Sequence, residues 1–179
     1  QVFFMAKGIF MGTATEKVIN DKKLDEYVPG AKKILSNFED RIILPVDYAF
    51  VDKKRMEVKV EDLPAERPIE DIGTSTISDY KQIISNSKTV FVNGPAGVFE
   101  DENTEKGTKE LLAHIASGDC FSVIGGGDSI SAVSRYGLSE GFSYTCTGGG
   151  SMVRFLSGEV LPVVAALKRS AKKFSGEAR

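Results

Sequence analysis

Apolar positions along this chain follow two spacings. Between residues 15 and 37 they recur at helical intervals, with Leu24, Tyr27, Val28, Ile34 and Leu35 on one face and Phe38 just beyond. Pro29-Gly30 should interrupt or restart that helix. Residues 1–7 read as the last turns of a helix capped by Gly8. Residues 41–46 form a nearly unbroken apolar run, the pattern of a strand buried on both faces, with Pro45 near its end. Alternation over 48–51 and 56–60, around the turn-like Asp52-Lys53-Lys54-Arg55, predicts a hairpin. A loop over 61–76 then leads into a helix over 77–87.

From there strands and helices take turns. Strands are predicted over 89–92, 120–124 and 142–146, and helices over 104–117, 128–136 and 151–156. Such alternation predicts right-handed βαβ units and an α/β fold: a three-layer sandwich with a mainly parallel, Rossmann-like sheet. Ligands of these folds bind beyond the carboxyl ends of the strands.

Composition narrows the function. The 179 residues are 41% hydrophobic and 27% charged, which is globular composition and fits one domain. The net charge is −2 and no basic stripe is present, so nucleic acid is not an expected partner. No apolar run approaches the roughly 18 to 20 residues of a membrane span, so a membrane is not expected either, and the reading is cytoplasmic. Cys120 and Cys146 lack metal-ligand spacing and read as buried free thiols. His114, the only histidine, reads as a structural or surface residue.

Glycine is distributed unevenly. Of 18, only Gly8, Gly12, Gly30 and Gly73 precede Gly94. Three clusters follow predicted strands: Asn93-Gly94-Pro95-Ala96-Gly97-Val98-Phe99-Glu100, Gly125-Gly126-Gly127-Asp128-Ser129 and Thr147-Gly148-Gly149-Gly150-Ser151. Bare backbone admits a ligand closely, and the first turn of a helix offers unpaired N–H groups and partial positive charge. Together these make an anion site suited to phosphate. Neither G-x-x-x-x-G-K-[ST] nor G-x-G-x-x-G occurs, so neither a P-loop nor a dinucleotide fingerprint is supported. Asp128 is placed to hold Mg²⁺ or its water shell, or to cap a helix; Glu100 could accept hydrogen bonds from ribose or simply begin a surface helix.

In this order the three clusters resemble the carboxyl-terminal, nucleotide-binding domain of phosphoglycerate kinases. Ile43-Leu44-Pro45-Val46-Asp47, Asp71-Ile72-Gly73-Thr74 and Leu161-Pro162-Val163-Val164-Ala165-Ala166-Leu167 fit the same family, with archaeal-looking surface segments. The resemblance implies ATP or ADP as co-substrate with Mg²⁺, and 3-phosphoglycerate or 1,3-bisphosphoglycerate as the other reactant in glycolysis. Asn93 and Glu100 would contact phosphate and ribose. Gly73 and Gly97 would lie near the nucleoside, while Gly126, Gly127 and Ser129 would cradle phosphates and Asp128 hold the metal. Gly148, Gly149 and Gly150 would aim N–H groups at the phosphoryl group in transfer. It further implies that residues 1–179 are one incomplete nucleotide-binding domain. The amino-terminal substrate domain and a Gly-Gly-Ala-Lys motif would be absent, turnover alone would be negligible, and a sheet edge would be left exposed. A non-catalytic nucleotide-binding or assembly module is the alternative.

Overall fold

The computed structural model describes residues 1–175. Its first half is a helical layer over a small antiparallel sheet. Helices α1 (Val2–Ala6), α2 (Thr13–Asp21) and α3 (Val28–Phe38) precede the hairpin β1 (Asp47–Asp52) and β2 (Lys54–Lys59). Pro29 falls in the first turn of α3, where its missing N–H costs nothing, so it restarts the helix after a 3₁₀ turn at Leu24–Tyr27. The hairpin is as the alternation predicts, with Lys53 in the left-handed turn position at φ 62°. A short strand, β3 (Asp71–Ile72), pairs antiparallel with β1 inside the expected loop, and α4 (Thr74–Ser85) follows directly. The core here joins Phe4, Met11, Ile19, Tyr48, Ile72 and Ile77.

The second half is the predicted alternation. Strands β4 (Thr89–Asn93), β5 (Phe121–Gly125) and β6 (Tyr144–Cys146) form a parallel sheet in the order β4-β5-β6, with α5 (Lys106–Ala116), α6 (Gly127–Arg135) and α7 (Gly149–Leu156) between and after them. Val90 and Val92 pack with Leu112, Ile115, Ile124 and Val133, so α5 and α6 cover that face. Alternate residues must face the other way. There Phe91, Phe121 and Tyr144 are 43%, 55% and 58% exposed. The last helix, α8 (Pro162–Phe174), contains most of the 161–167 segment and leaves Val163 and Leu167 exposed.

One expected strand is absent. Residues 42–45 are extended or irregular without ladder partners, and β1 begins only at Asp47. A strand buried on both faces lies inside a sheet covered above and below, between two neighbouring strands. None flanks the 42–45 run among the described residues, and Ile43 and Val46 are 58% and 48% exposed. The expected α/β fold is present, its parallel sheet formed by β4-β5-β6, with a separate three-stranded antiparallel sheet β2-β1-β3 beside it in sequence. No described strand pairs with the outer edge of β4. The two cysteines are half-buried free thiols rather than buried ones, and no helix among the described residues is long and apolar enough to cross a membrane.

Candidate functional site

The three glycine clusters meet at the carboxyl ends of β4, β5 and β6. Gly126 stands at their crossing, at φ 89°, a conformation that favours glycine. A β carbon on Gly126 would lie 2.5 Å from Asn93 Oδ1 of the first loop. One on Gly149, at the start of α7, would lie 2.9 Å from the Cα and N of Gly126. Backbone therefore packs on backbone where the loops cross. The Ser129 hydroxyl, 1% exposed, accepts the Gly94 N–H at 2.6 Å and ties the first loop to the second.

Two helices open at this crossing. Gly126 precedes α6 and Gly148 precedes α7, and no side chain caps either one. Their first-turn N–H groups are left for solvent or an anion. Asp128, exposed in the first turn of α6, does not act as its N-cap, which removes that alternative reading. It shares a crevice of 860 Å³ with Glu100, Gly97 and Val98. No cluster of three metal-ligating side chains exists among the described residues. A carboxylate beside two uncapped helix N-termini nevertheless fits Mg²⁺, which is commonly held by one or two carboxylates with the remainder from phosphate and water.

The profile of the family described as phosphoglycerate kinase matches residues 1–159. The chain belongs to the phosphoglycerate kinase family. The phosphoglycerate kinase of Methanobacterium bryantii is 42% identical, the match covering 93% of this chain and 41% of that protein. That of Pyrococcus furiosus is 40% identical over 98% of this chain and 44% of its own length. The crystal structure of phosphoglycerate kinase from Pyrococcus horikoshii OT3 superposes with a TM-score of 0.87 at 39% identity, covering 97% of this chain and 44% of that one. The chain thus spans less than half the length of the phosphoglycerate kinases it matches.

Of the site residues expected from the sequence, Asn93, Gly126, Ser129 and Gly149 come together at the crossing, and Glu100, Gly97 and Asp128 at the crevice. A methyl added at Gly127 or Gly150 would meet nothing within 4 Å, and one at Gly148 would meet only Ser151 at 3.9 Å. Gly73 lies elsewhere. A β carbon there would collide with the Asp47 carboxylate at 2.2–2.6 Å. That carboxylate occupies the N-terminus of α4, accepting from the N–H of Ser75 and Thr76 and from the Thr76 hydroxyl. Bare backbone at Gly73 admits a side chain of the protein. His114 is a structural residue as expected, its Nε2 within hydrogen-bond reach of Ser85 Oγ and the Lys81 carbonyl.

Sequence reading missed the supports of the first loop. The N–H groups of Ala96 and Gly97 donate to Thr108 Oγ1, the Val98 N–H donates to the Glu70 carbonyl, and the Thr104 hydroxyl donates to the Val98 carbonyl. Burial raises the Asp71 carboxyl above its ordinary range, and bonds from Gly107 and Arg55 offset only part of that effect. An acid beside the apolar Ile72 and next but one to a glycine was the available signal.

Proposed function

We propose that this chain supplies the Mg-nucleotide half of the site for phosphoryl transfer between 1,3-bisphosphoglycerate and ADP, reversibly 3-phosphoglycerate and ATP, in cytoplasmic glycolysis. The observation that carries the reading is the crossing of three glycine loops beside a crevice lined by Asp128 and Glu100. Phosphoryl transfer asks for little covalent chemistry from a protein; it depends on positioning and on donors aimed at developing charge. In this assignment the Gly97–Glu100 side of the crevice receives the nucleoside, with Glu100 accepting from ribose hydroxyls. Asn93 and the first-turn amides of α6, at Gly127 and Ser129, hold phosphate oxygens, with Gly126 giving close approach. The first turn of α7, with Gly148, Gly149 and Gly150, directs N–H groups at the group in transfer. Magnesium, held by Asp128, would neutralise phosphate charge when bound.

No general base is required, because both acceptors are already anionic oxygens. This agrees with the placement of His114 away from the loops. The phosphoglycerate would be presented by a second domain, as in two-domain kinases, with closure excluding water. Calorimetry with Mg-ADP tests the reading: the expected result is saturable binding, and no heat at millimolar nucleotide would overturn it.

A further inference from the structure

Asp71 in β3 has a side chain wholly removed from solvent. Its Oδ2 accepts from the Gly107 N–H in the first turn of α5 and from Nη1 of Arg55, both at 2.8 Å. Its Oδ1 has no hydrogen-bond partner. Bare backbone encloses that oxygen, since a β carbon on Gly97 or Gly107 would stand 2.6 or 2.3 Å from it. Two glycines therefore make room for one carboxylate. Arg55 also donates to the carbonyls of Ile72 and Asn103, fastening β2 to β3 and to the turn before α5.

Three backbone N–H groups of the first glycine loop are held by residues that adjoin this carboxylate or its Gly107 partner. Val98 donates to the carbonyl of Glu70, the residue before Asp71. Ala96 and Gly97 donate to Thr108, the residue after Gly107. A buried acceptor left without a partner is destabilising, so a neutral residue would serve packing better. What the carboxylate adds is an acceptor for the Gly107 amide and an anchor for Arg55, and both fix α5 and the loop against β3.

We propose that Asp71, backed by Arg55, is a positioning residue: it sets where the loop ending in Glu100 stands relative to Asp128, and so tunes nucleotide affinity without touching the nucleotide. This rests on the Mg-nucleotide reading. Its test is Mg-ADP calorimetry with amide hydrogen exchange on the wild-type protein, Asp71→Ala and Asp71→Asn. Asp71→Ala should weaken Mg-ADP by about tenfold and accelerate exchange first at Ala96, Gly97 and Val98. Asp71→Asn keeps a carbonyl acceptor for Gly107 and should recover affinity to within about threefold of wild type. If Asp71→Ala does not fold, Asp71→Asn carries the test, with the smaller loss and the same local exchange expected. Wild-type affinity in folded Asp71→Ala, wild-type exchange at Ala96, Gly97 and Val98 in folded Asp71→Asn, or exchange raised evenly along the chain in either variant, overturns the proposal alone. No Mg-ADP binding by the wild type overturns the nucleotide reading and this proposal with it.

Discussion

Alanine at Gly149 probes the crossing of the second and third loops, and alanine at Gly150 provides an internal control for helix stability. Both residues lie in the first turn of α7. Alanine is favoured over glycine in a helix by up to about 1 kcal/mol. At Gly150 nothing lies within 4 Å of the added methyl, so Gly150→Ala should stabilise α7 by about 0.5–1 kcal/mol. At Gly149 the same methyl would stand 2.9 Å from two backbone atoms of Gly126. Non-bonded carbons prefer about 3.5–4.0 Å, so the loops must part by roughly half an ångström or more. Overpacking of this kind costs about 1–3 kcal/mol, which outweighs the helical gain. The Met152 amide, which donates to the Gly148 carbonyl at 2.8 Å, reports on α7 directly. Its exchange protection should rise severalfold in Gly150→Ala, since about 1 kcal/mol is roughly a factor of five, and fall in Gly149→Ala. Mg-ADP affinity should drop about tenfold in Gly149→Ala, because moving donor amides by a fraction of an ångström is costly. Equal protection in the two variants would refute the crossing and the convergence built on it.

Three other outcomes follow from the same structure. Asp128→Ala should lose about tenfold in ADP affinity when magnesium is present and little when it is absent; calorimetry with and without the metal distinguishes this from a general weakening of α6. Thr76→Val should cost about 2–4 kcal/mol in urea unfolding, because Thr76 Oγ1 accepts the N–H groups of Val46 and Asp47 and donates to the Asp47 carboxylate. Thr76→Ser, which loses only a methyl, should cost about 1 kcal/mol, and the reverse order would show that packing governs the site. For Asp47 burial pushes the carboxyl up, but hydrogen bonds from Thr76 and Ser75 outweigh it and leave the group below its ordinary 3.8. Their contribution is therefore present above that value and is lost as pH falls through the lower folded value. Acid unfolding should steepen below about pH 4, and Asp47→Asn should flatten it; an unchanged acid limb would refute the assignment.

Where the hydrophobic pattern is local, it was enough to read the fold. The hairpin of β1 and β2, the β4–α5–β5–α6–β6 succession and the helix starts at the glycine clusters all follow from spacing and strand-end glycines. Residues 41–46 show the limit: an apolar run announces burial on both faces but cannot show what covers it, and among the described residues 42–45 pair with no strand. The site divides similarly. Glycines at helix starts are legible, yet Gly73 and Gly126 are both required by close approach, one to a carboxylate and one to Asn93 and Gly149. Only coordinates separate these cases. Asp71 was not recognised as a support because its partners, Arg55 and Gly107, lie 16 and 36 residues away.

The position of Gly126 also bears on how such a site can drift over generations. Because Asn93 approaches it from one loop and Gly149 from another, a substitution at either position changes what the other will tolerate. Changes at 93, 126 and 149 should be epistatic, with penalties that do not add. Neutral variation is then confined to paths on which these positions change together, whereas Gly127 and Gly150, with open space around them, are constrained sterically by no such partner.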